Sequence, residues 1–336
     1  MALHAIDDLT DAFDATKAFL LPFDLGRWLR LAVISLFVAS SSGWGSGMAP
    51  SNPAQFSAGP GTPTTGPAPG DVGGQIAHFV ATNLLAIVAV LLVLFALGLI
   101  LAWLASVFEF AFLASISREE VHVRSYVAEF SGPGTRLFGF RVVFGLLVAA
   151  VFGGGALLTL GPALLTGDPS LALFFVLVLP LFVVLGALAS VVYVFTTAFV
   201  APIMLLEDRG VISGWRRFWG VLRANWKQFG TFAVVGVFVM IGVGIVAGIA
   251  AGLLGVAVAI PFALVFFALV LAGIGGGAAL IAGVLLGIPL LAVLLVVMGF
   301  VQVPIQTYLR YWALLVLGDV DADLDLIPDQ RAAIRE

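Results

Sequence analysis

The chain has 336 residues, of which 62% are hydrophobic and 10% charged, whereas an ordinary soluble domain carries about 25% charged residues. Too little polar surface is available to cover a water-soluble globule. With no cysteine in the chain, disulfides and thiolate metal sites are excluded.

The charges are clustered. Leu31 to Gly70, Val72 to Phe108, Val142 to Gly167, Pro169 to Leu206 and Gln228 to Leu309 contain no Asp, Glu, Lys or Arg. About 20 apolar residues suffice to span about 30 Å of hydrocarbon as a helix, so each stretch can hold at least one span. The expected fold is an all-α integral membrane protein with about six transmembrane helices.

Along the chain, Met1 to Lys17 comes first and carries Asp7, Asp8, Asp11 and Asp14 before any apolar run. A cleaved signal peptide begins with basic residues, so this segment is expected to be retained. The predicted spans follow at Trp28 to Ser42, Ile76 to Ser106, Val142 to Leu160, Leu171 to Val200, Phe229 to Ala251 and Ala278 to Val303. Gly255 to Gly273, apolar and interrupted by Pro261, is expected to form a re-entrant or partial span. Ser46 to Gly74, rich in Gly, Pro, Ser and Thr, reads as a disordered external loop.

Positively charged loops stay in the cytoplasm. The 15 Lys and Arg form groups at 17–30, 118–141, 209–227 and 310–335, with none in 40–74, 161–170 or 252–277. That alternation predicts three helical hairpins in the cell membrane, with both termini cytoplasmic.

An amphipathic elbow precedes each hairpin. In the first, Ile6, Leu9 and Phe13 form the apolar face, with Pro22 and Gly26 as the break. The second has Val123, Tyr126, Val127 and Phe130 before Ser131-Gly132-Pro133-Gly134. In the third, Trp215, Phe218, Trp219 and Leu222 share one helical face, with Arg216, Arg217 and Arg223 elsewhere. The pattern implies elbow helices lying in the interface. It divides the chain into repeats at 1–106, 107–206 and 207–317, and an acidic cytoplasmic tail at 318–336. Trp28, Trp215, Arg216, Arg217, Phe218, Trp219, Arg223, Trp226, Lys227 and Arg310 are the candidate membrane-interface residues. The first elbow, acidic, is expected to leave an anionic surface at low salt, while the basic third elbow stays bound.

Chemistry-bearing motifs are sparse. His4, His78 and His122 lack the spacing of a zinc helix, so no metal site is expected. The alternating Asp319, Asp321, Asp323 and Asp325 fail the calcium-loop pattern, with Leu324 and Gln330 at its Gly and Glu positions, and read as a solvated tail. No nucleotide loop, catalytic constellation or cofactor site is readable. Gly244, Gly248 and Gly252, and Gly283 with Gly287, are candidate ridges for close helix packing. Ionisable residues within spans usually mark coupled transport, and Glu109, near the inner end of the second span, is the sole candidate.

Three longer segments carry a resemblance: Ala5 to Trp28, Leu205 to Trp219, and Val303 to Asp319, with Asp325-Leu326-Ile327-Pro328 beyond. On these residues the chain resembles multi-pass membrane proteins of halophilic archaea grouped as a domain of unknown function. More loosely, it is similar to the membrane domain of some glycerophosphodiester phosphodiesterases, without their catalytic domain. The resemblance implies a cell-membrane location and a high-salt cytoplasm, and no activity.

The expected function is that of a non-enzymatic membrane component that engages lipids or other membrane proteins; no nucleic-acid partner is expected. The alternative is a passive or facilitated transporter of a neutral or lipophilic solute, with Asn83, Ser190, Thr196, Thr197, Gln302 and Gln306 lining a path. A membrane enzyme would need Glu109, Glu119 and Glu207 to converge.

Overall fold

The computed structural model describes residues 4–41, 72–166, 173–273 and 276–335, and all regular structure among them is helical. The expected external loop lies outside the described residues over 46–71, and Val72 to Gly74 begin a helix.

Helix α1 (His4–Leu20) turns into α2 (Leu25–Ser41). The Asp24 carboxylate accepts from the backbone N–H groups of Gly26 and Arg27 at 2.7 and 3.1 Å, satisfying donors that a helix start leaves open. The long α3 (Val72–Arg118) departs from helical geometry at Asn83 and leads to the short α4 (Val123–Glu129). Only Phe130 separates α4 from α5 (Ser131–Thr166). Ser131 to Gly134, expected as a break, instead form the first turn of α5, where a proline removes no intrahelical hydrogen bond.

After α6 (Leu173–Phe195) the chain widens into one π turn, Thr196–Val200, and continues as α7 (Ala201–Glu207). Then come α8 (Val211–Ala224), α9 (Trp226–Leu271), α10 (Gly276–Val320) and α11 (Pro328–Arg335).

Among the described residues, five helices are long and apolar enough to cross a membrane: Val80–Arg118, Ser131–Pro162, Phe174–Glu207, Trp226–Leu271 and Ile281–Val320. They are compatible with a multi-pass membrane protein. The first expected span corresponds to α2, whose 17 residues reach only about 26 Å. The expected re-entrant element at 255–273 is corrected: α9 runs unbroken for 46 residues with Pro261 inside it. Proline's fixed φ is helical, and α10 supports the segment from the side, Leu294 lying 3.9 Å from where a Gly255 side chain would begin. At about 1.5 Å per residue α9 measures about 69 Å, more than twice the hydrocarbon thickness.

The packed core gathers at one end of these helices. Buried apolar residues concentrate at 105–116 of α3, 195–204 around the π turn, 229–232 of α9 and 303–317 of α10, together with α1 and α2. The other halves of the long helices carry exposed Leu, Val, Ile and Phe, as at 84–101, 143–158, 174–191, 234–271 and 281–296. Helix α10 is the hub, packing on α1, α2 and α9, while α3 packs on α2 and α5, and α5 on α6. Where α10 crosses α2, a side chain at Gly299 would begin 2.9 Å from the Ala32 carbonyl oxygen, so this contact requires glycine. Of the expected ridge positions, Gly283 meets Phe266 at 3.6 Å, whereas Gly248, Gly252 and Gly287 meet nothing within 4 Å among the described residues.

The first and third elbows differ from expectation in which face they bury. In α1 the buried face is Ala5, Asp8, Ala12, Ala15 and Phe19, while Ile6 and Phe13 are exposed. Small side chains let α1 lie close on α10, and Trp312 of α10 donates to the Ala5 carbonyl at 2.9 Å. Helix α11 adds a clasp. Arg335 bonds Asp8 and Asp11 of α1, each at 2.9 Å, and Asp319 of α10 at 2.8 Å. Arg331 pairs with Asp319 and Asp325 at 3.0 and 3.3 Å. This corrects two expectations: α1 is docked on protein, so salt-dependent lifting loses its basis, and the acidic tail is folded back onto arginines.

Candidate functional site

Glu109 sits on α3 with no exposed surface. Burial of an ionisable side chain demands partners, and two guanidiniums provide them. Arg310 of α10 bonds one carboxylate oxygen through Nη2, and Arg141 of α5 reaches the other at 3.2 Å. Arg141 also donates to Ser106 Oγ, one turn before Glu109, at 3.2 Å, and to Thr197 Oγ1 at 3.4 Å.

The π turn completes the centre. An i→i+5 turn disturbs the regular backbone ladder, and here the Thr197 carbonyl accepts from Arg310 Nη1 at 2.7 Å. The Thr196 hydroxyl accepts from Trp215 Nε1 at 3.0 Å, tying α8 to the same turn. Counted formally, one carboxylate faces two guanidiniums, so the centre carries one net positive charge. Arg310 and Arg141 side chains are only 4% and 10% exposed, so water neutralises that charge poorly.

Beside the centre lies a cavity of about 570 Å³ among α2, α3, α5, α6 and α10. Leu36, Phe37, Leu101, Phe138, Val142 and Leu295 supply most of its wall, and Arg141 and Tyr193 its polar side. The Arg141 guanidinium lies 5.5 Å over the Tyr193 ring, a favourable cation–π distance. The Arg141 Nε atom is buried without a hydrogen-bond acceptor among the described residues.

A family model described as "Family of unknown function (DUF7544)" matches residues 3–327. The chain belongs to DUF7544. No curated protein and no solved structure matches it.

Against this centre, the interface residues expected of the DUF7544 chain divide. Two expectations are corrected. Arg310 lies inside the protein against Glu109. Phe218 has no exposed surface and stacks on Phe199 at 5.2 Å, with Phe229 edge-on at 5.1 Å. The buried face of α8 is Val211, Gly214, Phe218 and Val221, rotated from the expected one because the aromatic cluster under α8, not lipid, takes it. Trp28 is half-buried and donates to the Leu20 carbonyl at 3.2 Å. Trp215 is held by Thr196, and Arg217 by Asp321 at 3.1 Å and Glu207 at 3.6 Å. Arg216, Trp219, Arg223, Trp226 and Lys227 remain exposed.

The groups expected to line a solute path do not line this cavity. Ser190 and Thr196 bond the carbonyls one turn back in their own helix, and Gln306 reaches Gln302 at 3.5 Å. The three carboxylates of the enzyme reading are held in separate networks: Glu109 by Arg141 and Arg310, Glu119 by Gln330, and Glu207 by Arg209 and Arg217. Arg141 was missed in sequence because it reads as one more cytoplasmic charge. Its setting in Phe138-Gly139-Phe140-Arg141-Val142-Val143-Phe144 was the available signal for a buried cation.

Proposed function

We propose that this protein is a multi-pass component of the cell membrane, with both termini cytoplasmic, that works by binding lipid and membrane partners rather than by catalysis. The outer stripe of α8 carries this reading. Ile212, Arg216, Trp219 and Arg223 recur at helical spacing on the exposed side, and Trp226 and Lys227 extend the stripe into α9. Arg223 lies 5.0 Å over the Trp219 ring and Lys227 5.9 Å over Trp226. Exposed indoles paired with cations suit the headgroup layer, where each basic residue contributes about 1 kcal/mol on an anionic surface.

The arrangement as three elbow-and-hairpin units belongs to the same reading, and the pairing of α2 with α3, α5 with α6 and α9 with α10 supports it. The archaeal, high-salt setting that the resemblance implies belongs to the same reading, and 13 Arg to 2 Lys and 13 Asp to 6 Glu are compatible with it. Because the chain lacks cysteine, Trp219→Cys gives a single spin-label site. In anionic vesicles the label is expected about 5–10 Å inside the headgroup boundary. A label in bulk water, or solute flux through protein-containing vesicles, overturns the reading.

A further inference from the structure

The net positive charge at Glu109, Arg141 and Arg310 borders the cavity through Arg141. Of the two cations, Arg310 is enclosed, both its terminal nitrogens being taken by Glu109 and Thr197. Arg141 lines the cavity. Its Nη2 is held by Glu109 and Thr197 and its Nη1 by Ser106, while Nε, without an acceptor among the described residues, is buried and closed to a ligand. Nη1 carries two N–H groups and bonds one partner, so the guanidinium keeps one charge-assisted hydrogen bond for a single anionic oxygen.

The walls and the mouth specify the rest of the ligand. The lining is predominantly aliphatic and aromatic, and Leu101 and Leu295, which are 43% and 46% exposed, open it onto the apolar outer surface. A water-soluble anion would have to cross that apolar surface, whereas a lipid can enter from the side. Level also matters: Arg141 immediately precedes the charge-free run from Val142 and Glu109 immediately follows the one ending at Phe108. The cation therefore stands at the edge of the apolar zone, where lipid phosphates lie. A volume of about 570 Å³ is of the size of small-ligand sites, about 300–1,000 Å³, and accommodates an acyl chain rather than a whole bilayer lipid.

We propose that the cavity binds one anionic phospholipid, a phosphate oxygen accepting from the Arg141 guanidinium and one hydrocarbon chain lying along Leu36, Phe37, Leu101 and Leu295. The proposal deepens the lipid-binding reading and rests on it, but concerns a site separate from the α8 stripe. Phosphatidylglycerol thereby completes the charge balance that Glu109 leaves half made.

The test is native mass spectrometry of the full chain, delipidated and then exposed to phosphatidylglycerol, phosphatidylcholine or oleate. One phosphatidylglycerol per chain should be retained in preference to phosphatidylcholine. Arg141→Gln should weaken that retention about tenfold or more, the loss of about one charge-assisted bond. Gly98→Phe keeps the centre intact, since Gly98 lines the cavity and nothing lies within 4 Å of its Cβ position. It should abolish retention by filling the space without unfolding the protein. Equal retention of both phospholipids, retention of oleate alone, or unchanged binding in Gly98→Phe overturns the proposal. A label at Trp219→Cys still seated in the headgroups would then show that only the cavity assignment, and not the general lipid reading, has failed.

Discussion

Glu109→Gln is the most demanding perturbation of this architecture, because a nearly isosteric change removes the one carboxylate that two buried cations share. In the native centre Arg310 and Arg141 each bond one of its oxygens, and their side chains are 4% and 10% exposed. Neither can recover hydration without opening the core. Breaking a buried ion pair by removing one partner costs about 3–5 kcal/mol, and two cations losing one anion place this change at the upper end. At about 2–4 °C per kcal/mol, thermal unfolding in neutral detergent, followed by helical circular dichroism, should move down by about 10 °C or more. Arg141→Gln leaves Glu109 with Arg310 as a one-to-one pair and should cost about 1–2 kcal/mol. In the double variant Glu109→Gln/Arg310→Gln the losses should add to less than their sum by about 1 kcal/mol or more, as for groups in contact. A Glu109→Gln protein melting within about 2 °C of the native one would refute the reasoning.

Three other outcomes follow from the packing. A side chain added by Gly318→Ala would collide with the Arg331 guanidinium; the displaced guanidinium would lose Asp319 and Asp325, costing about 1–3 kcal/mol. Limited proteolysis should then cut within 321–336 faster than in the native protein, and unchanged cleavage counts against the clasp. Burial first, and the Asp319 charge second, push the Asp8 carboxyl up from 3.8 to about 7. The folded state therefore holds a proton that the unfolded state releases between about pH 4 and 7; this contribution is complete below the unfolded value and disappears as pH rises through about 7. The native protein should melt higher at pH 5 than at pH 8, and Asp8→Asn should remove that part of the slope; a slope unaltered by the substitution contradicts the assignment. Finally, Phe218→Ala should destabilise by about 3–5 kcal/mol, whereas Trp219→Ala, on the exposed side of the same helix, should change the melting temperature little, and the reverse order would restore the original face assignment.

Composition and the distribution of charge determined that this is a helical chain whose long apolar helices are bordered by basic groups, because apolar runs of that length have few other stable forms. Glu109 was also legible as exceptional, since an ionisable residue beside long apolar runs has to be accounted for. Its partners were not legible. Arg141 and Arg310 lie 32 and 201 residues away in sequence, and a count of positive charges treats both as markers of the cytoplasmic side. The same limit applied to α8 and α1. Periodicity shows that a helix has an apolar face, but an acyl chain and a phenylalanine present the same apolar surroundings, so Phe218 and Phe13 could not be sorted into inside and outside. The break assigned at Pro261 failed for a related reason, since proline only weakens a helix locally and the neighbouring α10 decides whether it continues. Only the tertiary structure placed two cations on one carboxylate, set one of them on the wall of an apolar cavity, and folded Arg331 and Arg335 back over the acidic tail. Each of these is a contact between helices distant in sequence, where distance and burial, rather than residue type, set the energy.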